Sequence, residues 1–517
     1  MSVVHTESAA IFGGVTVNAA EDKVQFVEYR PSFAVDGKSV VEFVIPGNSA
    51  QYVSLRDSYV VATVRVAKQE HKGEDQVLAD RKRRRRNVDG EPTKRRRREV
   101  ETGEDDDGAG LSPDDLAKLK AEEEKEEEEE ENAEGQEETE TRSYAFPVDA
   151  IFHTMWNGVD VFMNQQLVST TNTMYAYKAM IETMLNNSVD TKKYQLTSIG
   201  FTGNDGEQDN PDVQEAINIG QSNRWEMFRD GKSVQLLGYL ASDMMTIEAA
   251  ILPGVEIVIK LYPNRDKNRL MTFPIGTEAE LVLEDIVLKV CKKTMTPDVV
   301  VSHANALEKG GPARYPFRRT EVRAFGVPAG YRTATIENPY QSNIPTRLIA
   351  GMVKTKSYAG DFQANPFNFK HFDVSGAGLY IDDEPIPKRP YKLAPSQGIY
   401  IEPLMDLYSL LGKAGEDRDI GVSREQYLNG MFLIPFDTCP TAAGDMAYLS
   451  RYQGGHMRLE LTYSKALKEP IQIITYAIFP AILEIDAARN VTVRELEKPQ
   501  ARAQVKEVIG PTTAASA

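Results

Sequence analysis

The chain has 517 residues and a mass of 57.6 kDa, beyond the size at which one core keeps growing, so two domains of ordinary size are expected. Its formal charge of −17 is unevenly spread: residues 68–142 hold 17 Lys/Arg against 27 Asp/Glu, and the rest of the chain holds 43 against 50. No apolar run reaches the 18 residues of a membrane span, and the first twenty residues lack the basic start and apolar block of a secretory signal.

In chain order, residues 1–20 read as a flexible N-terminal arm. Strand-like stretches follow at Lys23–Tyr29, Ser39–Ile45 and Ser58–Ala67, rich in Val, Ile, Tyr and Phe. Residues 68–142 are almost free of branched apolar and aromatic side chains, so they cannot bury enough surface to offset chain entropy; they read as a long disordered loop inserted between two strands. Next comes a hairpin, Val159–Met163 returning through Leu167 and Val168 about Asn164-Gln165. A helix is expected at Thr173–Leu185 with Asn172 as its N-cap. Further strands are expected at Ser233–Met244, Val255–Leu261 and Glu280–Val290, then a connector over residues 293–312. The second half offers a strand at Arg347–Lys354 and a hairpin, Ala377–Ile381 returning through Ile386 about Asp382-Asp383. After it come a partly helical piece at Tyr400–Leu411, a short helix at Ser423–Gly430, and strands at Tyr427–Phe436, Arg458–Tyr463 and Ile471–Ile478. Residues 493–517 read as a flexible tail.

The order of elements occurs twice. Hairpin 159–168 corresponds to hairpin 377–386, Tyr175–Leu185 to Tyr400–Leu411, and Ser233–Met244 to Tyr427–Phe436. Gly254–Tyr262 then matches Gly455–Tyr463, and Glu280–Cys291 matches Pro470–Ile485. The economical reading is an all-β chain: two β-sandwich domains in tandem, at 21–292 (interrupted by 68–142) and 313–492, with a few short helices.

Within the insertion, Arg81, Lys82, Arg83, Arg84, Arg85 and Arg86 form one basic block and Lys94, Arg95, Arg96, Arg97 and Arg98 a second; 21 acids against three lysines follow over Glu99–Glu140. The spacing suits a bipartite nuclear-import signal held by an import carrier. Contact with nucleic-acid phosphates and a solvated polyampholyte are the other two readings, the first disfavoured by the adjoining acids.

No catalytic or cofactor motif is present: no GxxxxGK[ST], no GxGxxG between strand and helix, no GxSxG, no HExxH. Cys291 and Cys439 lack metal spacing and read as reduced, buried thiols. His153 and His371 read as structural histidines, and Asp382-Asp383-Glu384 as turn acids. Trp156, Trp225, Tyr175, Tyr177, Phe362, Phe367 and Phe369 read as core or subunit-interface anchors. A non-enzymatic protein without metal or cofactor is expected.

Several segments carry a resemblance: Tyr315–Arg319, Ile344–Leu348, Asn365-Pro366-Phe367-Asn368-Phe369-Lys370-His371, Leu379–Pro387, Gly455–Leu461 and Glu484–Val491. Across residues 40–67 and 143–492 the chain resembles proteins encoded by viruses and by virus-derived elements in animal genomes. These in turn are similar to hexon-like double jelly-roll major capsid proteins of adenovirus-, adomavirus- and Polinton-like viruses. The resemblance implies two jelly rolls side by side and a virion protein that forms homotrimers and then a capsid lattice, with other capsid proteins such as a penton as partners. With the basic blocks it implies a virion location and passage through the host nucleus. Rival readings are a penton-type vertex protein with one roll, a nuclear histone- or nucleic-acid-handling protein, and a lectin-like or carbohydrate-active sandwich.

Overall fold

The computed structural model describes residues 20–33, 37–69, 143–213, 218–417, 419–439 and 454–495. Most of the residues read as the arm, insertion and tail, both basic blocks included, lie outside these.

Alternating runs become strands with one face in a core. In the first half these are β1 (Glu21–Tyr29), β2 (Val41–Ile45), β3 (Tyr52–Gln69), β4 (Tyr144–Pro147), β5 (Trp156–Met163), β6 (Gln166–Thr170), β7 (Val234–Gly238), β8 (Ile257–Pro263), β9 (Leu270–Phe273) and β10 (Glu278–Met295). They build the sheets β1-β10-β3-β7 and β2-β8-β5-β6, with β4 and β9 as a separate pair. The second half holds β11 (Ala313–Val327), β12 (Thr333–Glu337), β13 (Arg347–Lys354), β14 (Val374–Ile381), β15 (Glu384–Lys392), β16 (Leu433–Asp437), β17 (Met457–Tyr463), β18 (Ile471–Ile485) and β19 (Val491–Glu495). Its sheets are β11-β18-β13-β16 and β12-β17-β14-β15, with β19 added to β18.

Leaving out β4, β9 and β19, the strands of each half, counted in chain order, pair as 1-8-3-6 and 2-7-4-5. That is the jelly roll, made twice. In each roll the seventh strand alternates: Ile257, Ile259 and Leu261 are buried in β8, as are Met457, Leu459 and Leu461 in β17.

The two hairpins repeat down to single atoms. Asn164 and Gln165 have φ of 46° and 67°, and Asp382 and Asp383 have 49° and 68°; both are two-residue turns with φ positive at each position, the twist that matches paired strands. The Asn164 N–H donates to Glu256 O at 2.9 Å and the Glu256 N–H to Asn164 Oδ1 at 2.8 Å. The Asp382 N–H donates to His456 O and the His456 N–H to Asp382 Oδ1, both at 2.8 Å. Each turn is thereby fastened to the approach of its roll's seventh strand. Asp382 is thus a bonded turn residue rather than a solvated acid, and Asp383 lies 3.6 Å from Arg458.

The longer helices are α1 (Tyr175–Asn186), α2 (Ile219–Phe228), α3 (Pro297–Gly310) and α4 (Ile401–Leu410), followed by the short α5 (Arg424–Leu428). Asn172 is not the cap of α1: it sits at φ 45° in the preceding turn, and Met174 occupies the N-cap position without a side-chain bond. Ser423 does cap α5, in a reciprocal box with Gln426. Helix α3 fills most of the expected connector, β3 continues two residues into the stretch read as insertion, and β19 extends into the stretch read as tail.

Because the two turns are equivalent, Asn164→Ala and Asp382→Ala should each cost about 1–3 kcal/mol, from an unpaired N–H and a left-handed backbone position. Urea unfolding of the two variants checks this; a loss confined to one of them would show that the turns are not equivalent.

Candidate functional site

Helix α1 links β6 to β7 and lies between the rolls. Its apolar stripe buries one side, yet every residue from Tyr175 to Ile181 is buried, Lys178 included. The second roll covers the other side. Lys178 Nζ lies 2.9 Å from Asp243 Oδ1 and 3.4 Å from Glu182 Oε1, and donates to Ala241 O at 2.6 Å. The second roll completes the cluster: the Thr320 N–H of β11 donates to Asp243 Oδ2 at 3.1 Å, and the Tyr476 hydroxyl of β18 donates to Glu182 Oε1 at 3.1 Å.

Burial opposes a charge on Lys178, but Asp243 and Glu182 outweigh it and hold the ammonium above its usual range. Burial raises Glu182, and it raises the Tyr476 phenol far enough to keep it a donor. Close by, burial and then the Lys178 charge push His153 down to about 3. A neutral His153, with Nδ1 3.0 Å from the Tyr175 hydroxyl, is a structural histidine.

A second contact comes from the segment Asn365–His371. Asn365 Nδ2 donates to Gln208 Oε1 at 3.0 Å, the Tyr177 hydroxyl donates to Pro366 O at 3.0 Å, and Lys370 pairs with Asp209. The Tyr177 ring stands 5.0 Å from Phe367 and 6.4 Å from Phe369. Phe369 reaches this place because position 351 is glycine; a Cβ there would lie 2.6 Å from the ring. A third contact is the turn after β18, where Arg489 at φ 66° donates from Nε to Pro253 O at 2.7 Å and accepts from Asn164 Nδ2 at 2.8 Å. Between these contacts a cavity of about 250 Å³ opens among Met180, Met184 and Phe201 of the first roll and Phe367, Val422 and Met431 of the second.

Two of the resemblance segments therefore form the seam between the rolls. Among the aromatic candidates, Trp156, Tyr175, Tyr177, Phe367 and Phe369 are buried, and Trp225 and Phe362 pack partly buried against the core. His371 Nδ1 accepts the Asp373 N–H at 3.0 Å, and burial lowers its pKa. Cys291 and Cys439 are buried thiols outside any disulfide. Among the described residues no cluster of His, Cys, Asp or Glu could hold a metal ion, and no helix is long and apolar enough to cross a membrane. The eleven basic residues from Arg81 to Arg98 read as an import signal are outside the described residues. Sequence reading missed Lys178, Glu182, Asp243, Asp209 and Arg489; one available signal was Lys178 standing on the apolar stripe of its helix.

Lys178→Met removes the counter-charge of the buried Asp243 and the partly buried Glu182 and should destabilise the chain by about 3–5 kcal/mol. Denaturant unfolding measures it, and a change under about 1 kcal/mol would show that the ion cluster does not secure the seam.

No family model matches the chain. It is 24% identical over 351 residues to the Caenorhabditis elegans protein F54H12.2, a match spanning 66% of this chain and 80% of that one. Among solved structures, a chain of the Sputnik virophage aligns over 96% of this chain and 93% of its own, with a TM-score of 0.54 and 9% identity. The Faustovirus major capsid protein aligns over 92% of each chain, with a TM-score of 0.49 and 9% identity. Such identities speak of fold alone, and the strand order found twice, in a chain that aligns with the virophage chain along nearly its whole length, makes this chain a double jelly roll.

Proposed function

We propose that the chain is a structural virion protein, a hexon-like major capsid subunit that trimerises into pseudo-hexagonal capsomers of an icosahedral shell. The observation that carries this reading is the eight-strand order made twice and fused by a buried seam. Two rolls locked together form one rigid tile, and three tiles about an axis give six rolls. A vertex protein of the penton kind requires one roll, so the second complete roll favours the major capsid role. The domains follow from the same reading: a first roll over residues 21–292, a second over 313–492, and an insertion at 68–142 leaving from the first. A nuclear assembly site fits the two basic blocks at Arg81–Arg86 and Lys94–Arg98, whose charge and spacing match an import carrier's paired acidic grooves.

Light scattering of the purified protein should give about three times 57.6 kDa, and negative-stain images should show pseudo-hexagonal particles; a stable monomer overturns the capsid reading. Replacing Arg83–Arg86 and Arg95–Arg98 with Ala should abolish nuclear accumulation of the expressed protein, and unchanged nuclear fluorescence would remove the import signal from the proposal.

A further inference from the structure

The cavity in the seam takes its walls from both rolls. Met180 and Met184 of α1 and Phe201 form the side belonging to the first roll, and Phe367, Val422 and Met431 form the side belonging to the second. Thioether and phenyl walls offer a water molecule few of the roughly three hydrogen bonds that it needs to settle, and they adapt to the shape of an apolar guest. Any guest in this space touches both rolls at once.

One charged group lines this cavity with no ion-pair partner among the described residues. Lys192 stands in the short helical turn Thr191–Gln195 that follows α1. Its Nζ donates to Met184 O at 2.5 Å in the first roll and to Ile420 O at 2.7 Å in the second. Both acceptors are neutral carbonyls. Burial, which the charge of Asp419 offsets only in part, brings the ammonium down to about 8. An ammonium has three protons to donate, and the two carbonyls leave it one. The other charged groups of the wall are already committed or in water. Asp149 is buried beside Arg224 and accepts the N–H groups of Ala150 and Thr202, and Lys193 is exposed, with its ammonium over the Tyr194 ring.

We propose that the cavity binds a medium-chain carboxylic acid, whose carboxylate accepts the remaining N–H of Lys192 and whose alkyl chain lies between α1 and the apolar wall of the second roll. The size follows from the volume: an apolar cavity of about 150 Å³ holds benzene, so one of about 250 Å³ holds in proportion about ten non-hydrogen atoms, as many as octanoate has. The head group follows from the donor. A single charge-assisted N–H suits a carboxylate oxygen, whereas a phosphate head would bring further oxygens into the site without donors to meet them. The bound acid supplies the counter-charge that Lys192 lacks within the chain, and its tail adds apolar contact between the rolls, so binding tightens the seam. The site lies within one chain and stands or falls apart from the capsid reading.

Isothermal titration calorimetry of the full chain tests this with octanoate and with octanol, which has the same chain and no charge. Octanoate should bind at one site per chain, and octanol about tenfold or more weakly. Lys192→Met should weaken octanoate by about tenfold or more and leave octanol unchanged, because it removes the charge pairing and keeps the apolar walls. Met431→Trp, which fills the space, should abolish binding of both while the free chain keeps the circular dichroism of the wild type. Octanoate should also raise the unfolding temperature of the wild type and not that of Met431→Trp. Absence of heat up to millimolar octanoate, equal affinity for octanoate and octanol, an unchanged octanoate affinity in Lys192→Met, or binding that persists in Met431→Trp each overturns the site. The comparison of octanoate with octanol is made on the wild-type chain, so it decides even where a variant fails to fold.

Discussion

The placement of the rolls depends on one buried ammonium. Lys178 leaves water to lie between Asp243 and Glu182, and each carboxylate is in turn held by a donor from the other roll, Thr320 N–H or Tyr476 O–H. Burying a charge costs several kcal/mol unless its partners are complete, and here completeness requires both rolls in one relative position. The adhesive part of the seam is different in kind: the Tyr177, Phe367 and Phe369 rings contribute non-directional burial. Aromatic contact holds the rolls together, and the ion cluster selects the register.

This division explains how two rolls of one topology acquire different surfaces. A jelly roll pairs most of its strands internally, so few backbone edges remain for chance association. What distinguishes the rolls is the outer face of the 1-8-3-6 sheet. In the second roll that face is a seam, and β13 and β18 are apolar almost throughout. In the first roll the face alternates: Ile286, Leu288 and Val290 of β10 point to the core, and Lys289 and Asp285 point out. A strand buried on both sides loses its polar alternation. The run Ile471–Ile478, apolar except for Gln472 and Thr475, against the mixed run Glu280–Val290 therefore fits a sheet with a neighbour inside the chain.

The order of elements along the chain was legible because it needs only local signals: alternation in Glu256–Leu261 and Arg458–Tyr463, and turn chemistry at Asn164-Gln165 and Asp382-Asp383; the pairing of strands into sheets was not. Helix α2 was not legible, since Ile219–Phe228 lacks an apolar face and is secured from outside by Arg224, whose guanidinium is buried against Asp149, Thr202 and Asn204. Helix α3 carried start and stop marks in Pro297 and Gly311, but its run Val299–Val301 is β-branched and none of its residues is buried, so no periodic stripe identified it. The seam was legible only as motifs without a role. Its bonds join residues as distant as Glu182 and Tyr476 or Asn164 and Arg489, and no window of sequence contains such a pair.

The strand frame also accounts for where a sign-segregated stretch of this size is tolerated. β3 ends at Gln69 and β4 begins at Tyr144, and the two ends meet: Lys68 Nζ donates to Ser143 O at 2.7 Å. Chain leaving and returning at one point adds a closure cost that grows only with the logarithm of its length. β3 is held along its length by β10, from the Tyr52–Lys293 pair to the Gln69–Glu278 pair, so its register is set without help from residues 70–142. The chain outside residues 68–142 carries 43 Lys/Arg against 50 Asp/Glu, so most of the net charge belongs to that stretch and not to the strand frame.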